Sequence, residues 1–261
     1  MQREILEITG IKDETLSTVA ELPDRPNIFL DVKDATSYFQ DLLPLINEIK
    51  EKQDSTTKTI IYCRSLSICG DIFIYMRAKL TGFLYQQGEQ PSPSNCRLGM
   101  YNGQLPRDKQ QGILTNFKKP DSVLRCLIST VAFGMGINIP DIERVIHWGL
   151  SPNPLAYWQE VGRCARDGRP GRATIFVTRH SMSSHHTNDT MKKLFQKIKK
   201  ENKCVRLEIL SILSIDKMNK EPLSSLENRS PCDQHCQPPS SCQCAFCKCC
   251  CTCKIKCPCH I

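Results

Sequence analysis

Between residues 59 and 178 the chain alternates short apolar, β-rich runs with amphipathic helical stretches, and few folds accept that order. The runs are Thr59–Cys63 (TIIYC), Leu98–Tyr101, Leu124–Ser129 (LRCLIS), Arg144–Trp148 (RVIHW) and Ala173–Thr178 (ATIFVT). Between them, Ile72, Phe73, Met76 and Leu80 share one helical face; Ile113, Leu114 and Phe117 share another, in a helix opened near Pro106. Apolar strands that alternate with helices imply an α/β fold, a mainly parallel sheet flanked by helices on both faces. The 40% apolar content is enough for a core. No stretch reaches the roughly 18 apolar residues of a membrane span, and the opening MQREILEITG has no apolar core of a signal peptide.

The punctuation divides the chain into four parts. Residues 1–27 read as a short helix and the proline-bearing connector ELPDRPN, and residues 28–179 as the α/β lobe, with QQGEQPSPSN at 86–95 as a surface loop. Residues 180–244 form a helical, cysteine-bearing segment, in which 191–213 read as one basic helix with Leu194, Ile198, Leu207 and Leu210 along its apolar stripe. Residues 245–261 are a cysteine-rich, low-complexity tail. The net charge of +8 suits a polyanionic partner. Of 17 cysteines, six are scattered from Cys63 to Cys204, and the rest crowd between Cys232 and Cys259. With no secretory signal, such crowding favours metal binding over disulfides.

The densest chemistry lies at Gln159–Arg172, QEVGRCARDGRPGR. On a helix, Arg163 and Arg166 project from one side, with Gln159 four residues earlier on the same face. Two guanidiniums and an amide suit an oxygen-rich anion such as a terminal phosphate. A bare RxxR is more often a solvated helix end, so the context has to decide. Gly134-Met135-Gly136 follows a strand, where glycine lets backbone amides approach a phosphate, although a lone GMG is commonly just a turn. Arg64 and Ser65 stand at the C-terminal end of a strand, where parallel sheets place ligands. His147 reads as a core-edge histidine, and His185-His186 as solvent-facing. The run Lys192–Arg206 reads equally as a solvated face or a contact to duplex phosphates.

QEVGRCARDG resembles motif VI of superfamily 2 helicases in its RecQ form, QExGRxGRDG. STVAFGMGINIPDIERVIHWG at 129–149 resembles motif V, IIYCRS at 60–65 motif IV, and DRPNI at 24–28 the connector between the family's two RecA-like lobes. The resemblance covers residues 1–213 in the family's order. It implies a second RecA-like lobe of an ATP-dependent 3′–5′ DNA helicase, nuclear and serving repair and recombination. Arg163 and Arg166 match arginine fingers that reach the ATP phosphates held with Mg²⁺ by a first lobe. Gln159 matches a contact to nucleotide or its water, and Asp167 a residue that orients the fingers. Gly134, Gly136 and Asn138 match the coupling segment of the ATP site; Ser129 and Thr130, with Arg64 and Ser65, match contacts to DNA. The chain departs at Ala165, where the family has glycine. Alanine suits a helix, but its methyl at a tight contact would shift the fingers.

RecQ relatives also carry a zinc segment after motif VI. KCVRLEIL at 203–210 resembles its KCRRxxLL opening and PCDQHC at 231–236 its CCDxC closing, which implies Cys204, Cys232 and Cys236 as ligands, with Cys242 or Cys244 as the fourth and His235 a distant option. Pro231 and one extra residue break that match. CQCAFCKCCCTCKIKCPC beyond it reads either as a further metal cluster or, as expected here, as tail composition. No GxxxxGK[ST] and no DExH after a strand occurs in the 261 residues. The expectation is therefore a partial motor, inactive alone and without a membrane partner, with residues 1–23 as the end of a first lobe. The alternative is a non-catalytic nucleic-acid-binding or adaptor module of helicase descent.

Overall fold

A computed structural model describes residues 20–130, 138–215 and 248–256, with isolated positions 8, 10, 218, 223, 224 and 228. Among the described residues the order is β1 (Ile28–Asp34), α1 (Tyr38–Asp41), α2 (Leu43–Lys52), β2 (Lys58–Cys63), α3 (Leu66–Lys79), β3 (Leu98–Tyr101), α4 (Arg107–Lys118), β4 (Cys126–Ser129), β5 (Ile142–Trp148), α5 (Pro154–Val161), β6 (Gly171–Val177), α6 (Arg179–Ser183), α7 (Asp189–Glu201), α8 (Val205–Leu213) and α9 (Cys251–Lys256). The strands form one sheet in the order β1-β6-β5-β2-β4-β3, and every pairing is parallel. Period-two alternation splits the core between its faces. Ile60, Tyr62, Val145, Ala173 and Ile175 point to one side; Ile61, Cys63, Ile128, Ile146 and Phe176 point to the other.

The α/β expectation holds, and the five strands read from the sequence fall within two residues of their bounds. β1 was not among them, because IFLDVKD carries three charges in seven residues. It forms all the same at the sheet edge, where Ile28 and Leu30 are buried and Asp31 takes Arg172 at 3.4 Å. The single basic helix expected over 191–213 is two. Asn202 adopts a left-handed φ of 49°, which ends α7, and α8 restarts after Cys204. Met191, Leu194, Phe195 and Ile198 of α7 sit in the core. The segment at 248–256, assigned above to a tail, packs on β1: Leu30 N–H donates to Cys249 O at 3.3 Å, and Cys249, Cys250 and Cys253 are buried. An otherwise open edge strand is thereby covered.

Candidate functional site

α5 begins with Asn153, whose Oδ1 accepts from Ala156 N–H at 2.8 Å, and with Pro154 in its first turn. It ends at Val161. The arginines thus lie in a run of turns over residues 162–167 and not on the helix that their spacing suggested. Ala165 is the reason for the tight path: it is buried, with φ 46°, a left-handed value that costs a residue with a Cβ on the order of 1 kcal/mol. Glycine adopts such a φ without strain, so the departure at Ala165 is one of backbone conformation at a buried position. Its N–H donates to Ile142 O at 2.5 Å, and its carbonyl accepts from Arg25 Nη2 at 2.7 Å and Asn27 Nδ2 at 2.9 Å.

Arg166 is exposed and Arg163 half-buried. Arg166 Nε donates to Gly162 O at 3.2 Å and its Nη1 to Asn138 Oδ1 at 2.9 Å, which joins the two motif regions. Burial, then the charges of Arg163 and Arg25, lower its pKa, as expected where guanidiniums are gathered close together. Gln159 is exposed on the last turn of α5. Asp167, expected to orient the fingers, engages Arg169 at 2.6 Å. Gly134 and Gly136 lie outside the described residues.

Next to Gln159 but facing inward, Glu160 is buried and collects His147 Nε2 at 2.9 Å, Ser151 Oγ at 2.8 Å and Arg64 Nη2 at 3.2 Å. Burial opposes its charge, but the His147 hydrogen bond, the neighbouring positive charge and Ser151 outweigh it and hold the pKa down to about 2. Arg64 therefore stands at the C-terminal sheet edge already tied to a carboxylate. Ser65 is exposed but caps α3, its Oγ accepting from Ile68 N–H at 3.2 Å. Ser129 is fully buried, with its hydroxyl within 2.9 Å of Tyr101 O and 2.8 Å of Thr130 O, so its side chain faces inward in this arrangement. Thr130 is half-buried at the strand end.

The second constellation is Cys204, Cys249, Cys250 and Cys253, whose sulfurs lie within 4.8 Å of one another. Cys204 Sγ is 3.6 Å from Cys249 Sγ and 3.9 Å from Cys250 Sγ. These distances are too long for disulfides, and they match the ~3.8 Å edges of a tetrahedron with ~2.3 Å metal–sulfur arms. Hydrogen bonds within the cluster lower the Cys250 thiol below its ordinary range while raising Cys204 and Cys253, so one sulfur gains thiolate character from the others. Cys204 belongs to the expected ligand set; Cys232, Cys236, Cys242 and Cys244 lie outside the described residues. The sequence reading weighed the run holding Cys249, Cys250 and Cys253 as a further metal cluster and assigned it to tail composition. Their spacing, CCxxC, is that of the CCDxC closing sought at 231–236, and it was legible. Arg25, Asn27, Glu160 and Arg206 were also missed, since nothing in their local sequence announces a contact made 96 to 182 residues away.

Residues 37–168 match the helicase conserved C-terminal domain. The chain is 27% identical over 253 residues to the bifunctional 3′-5′ exonuclease/ATP-dependent helicase WRN of Mus musculus, covering 91% of this chain and 17% of the relative. It is 30% identical over 154 residues to the ATP-dependent DNA helicase Q-like 2 of Arabidopsis thaliana, covering 59% and 19%. The chain thus spans about a fifth or less of the length of these relatives. Among solved structures, S. cerevisiae Dbp5 bound to RNA and ADP BeF3 aligns with a TM-score of 0.51 at 17% identity, covering 76% of this chain and 45% of that one. At that identity the likeness speaks to the fold.

Proposed function

The chain belongs to the helicase conserved C-terminal domain family, in its RecQ-type form, and from that premise we propose that it supplies the arginine fingers and strand contacts of an ATP-dependent 3′–5′ DNA helicase. The observation that carries this reading is the exposed Arg166 held to Asn138 at 2.9 Å beside Arg163. Charge spreads over the phosphoryl oxygens in the transition state of ATP hydrolysis, and preorganised guanidiniums facing them lower its energy. Their phosphate and Mg²⁺ partners belong to a first RecA-like lobe. Gln159, one turn earlier, takes the contact to nucleotide or its water. Asn138, with Gly134 and Gly136, couples this site to DNA, which Thr130 and Arg64 meet at the sheet's C-terminal edge, with Ser65 beside them. Ser129 positions Thr130 by its inward hydrogen bonds. Nuclear placement follows from the same family reading.

Cys204, Cys249, Cys250 and Cys253 hold one Zn²⁺ in this proposal. Four thiolate ligands would make such a metal a structural crosslink rather than a catalytic centre. The all-thiol set, with Cys249, Cys250 and Cys253 buried and Cys204 half-buried, and its close spacing support it.

The functional test joins the complete chain to a RecQ-type first lobe and measures DNA-stimulated ATP hydrolysis. The 261 residues alone give no turnover; the joined protein hydrolyses ATP, and Arg166→Ala lowers kcat by about 10³-fold. Normal turnover in that variant excludes Arg166 as a finger, and robust ATP hydrolysis by the chain alone overturns the partial-motor reading.

A further inference from the structure

We propose that Arg25, in the connector ahead of β1, is the positioning residue of the finger turn; this rests on the finger assignment above. Three carbonyls beyond the end of α5 have no partner within the helix, and one guanidinium collects them all. Arg25 Nη1 donates to Gly162 O at 3.1 Å, and Nη2 donates to Cys164 O at 3.0 Å and Ala165 O at 2.7 Å. A planar, permanently charged fork reaches three acceptors along one turn, which an ammonium cannot do. Its charge also lies at the helix C-terminus, where the backbone dipole favours a cation.

The turn needs this hold because of Ala165. Its left-handed φ of 46° is a state that an alanine leaves unless its surroundings fix it. The contacts that fix it are Ile142 O on its N–H and, on its carbonyl, Arg25, Asn27 and, at 3.2 Å, the Gly168 N–H; of these, Arg25 alone also holds the carbonyls of Gly162 and Cys164. Arg163 and Arg166 flank this one residue, so a change at Ala165 moves both guanidiniums. Arg25 is itself fixed from behind. Asp24 Oδ1 accepts from Arg25 N–H at 2.7 Å and from Arg206 Nη1 at 2.6 Å, and Arg206 Nη1 also donates to Arg25 O at 2.9 Å. With both terminal nitrogens engaged by carbonyls, Arg25 acts on the reaction through the turn and not by touching ATP.

The experiment is a double-mutant cycle in the complete chain joined to a RecQ-type first lobe, reading kcat and the KM for ATP. Arg25→Gln is expected to lower kcat by ~10²-fold with KM nearly unchanged, the cost of fingers displaced by about 1 Å. Added to Arg166→Ala, it is expected to cost little more, because the group it positions has gone. Ala165→Gly is expected to recover at least ~10-fold of kcat in the Arg25→Gln protein, since glycine adopts the left-handed state without the clamp. A melting curve checks folding, and if Arg25→Gln fails to fold, Arg25→Lys, which keeps the charge and at most part of the contacts, takes its place with the same expected pattern in smaller measure. A loss fully additive with Arg166→Ala, a loss confined to KM, or no recovery with Ala165→Gly overturns the proposal. An unchanged kcat in Arg166→Ala alone instead removes the finger assignment on which it rests.

Discussion

Glu160 is a carboxylate that the fold keeps charged against its own burial, and two neighbours divide the task. His147 is fully buried, and burial lowers its pKa more than Glu160 raises it. At neutral pH it is therefore uncharged and donates from Nε2 to the carboxylate, and Arg64 is the countercharge. Both groups set the same sign of pH dependence. A histidine depressed below its ordinary value contributes stability above about pH 6.5 that is lost as pH falls. Glu160, held at about 2 against an ordinary 4.5, contributes stability above 4.5 that is lost as pH falls toward 2. The protein should therefore weaken steadily in acid. Glu160→Gln keeps the shape and can still accept from Ser151, but leaves Arg64 without its carboxylate. It is expected to cost about 1–3 kcal/mol at pH 7, with the gap to wild type shrinking toward pH 3 in urea denaturation series. A gap that stays constant with pH would mean that the charge on Glu160 contributes nothing.

At the level of elements, what the sequence discloses and what it hides follow one physical division. β2 to β6 were legible because buried parallel strands must be apolar on both faces, a requirement written into consecutive residues. β1 was hidden because an edge strand tolerates Asp31, Lys33 and Asp34. The arginine-bearing motif was read as helical from the spacing of Arg163 and Arg166, and only the left-handed Ala165 reveals a turn. The connector was legible as DRPN but not as a clamp, since Arg25 acts across 137 to 140 residues. Arg206 marks the same limit. It reads as one more cation in a basic run, yet it is 1% exposed and donates to Asp24, Arg25 O, Ile28 O and Cys249 O. Breaking a buried charge pair strands its partner, so Arg206→Met is expected to cost about 3–5 kcal/mol in chemical denaturation. A cost below about 1 kcal/mol would show that α8 packs on the connector by apolar contact alone.

On the scale of the whole molecule, one cluster of sulfurs gathers parts of the chain that Arg206 and the Leu30–Cys249 hydrogen bond also hold together. Cys204 begins α8, Cys253 lies in α9, and Cys249 lies against Leu30 on β1 and against Arg206. A metal held there would close a loop of 45 residues between Cys204 and Cys249 and would fix the β1 edge of the sheet. Without it, four thiols within 4.8 Å offer one another only weak hydrogen bonds. Metal binding is then partly folding free energy, localised to α8, α9 and the β1 edge, while the apolar sheet and its helices keep their own core. The expected result is about one tightly bound zinc per chain by elemental analysis, retained when Cys232 and Cys236 are both changed to serine and largely lost in Cys204→Ser or Cys250→Ser. Chelation should raise amide exchange at 205–213 and 28–34 and leave β2, β4 and β5 protected. Zinc that survives Cys250→Ser but not the loss of Cys232 and Cys236 would return the site to the ligands first read from PCDQHC. Zinc content indifferent to Cys204 would leave the cluster as packed thiols and remove the metal from the mechanism by which α8 holds the connector.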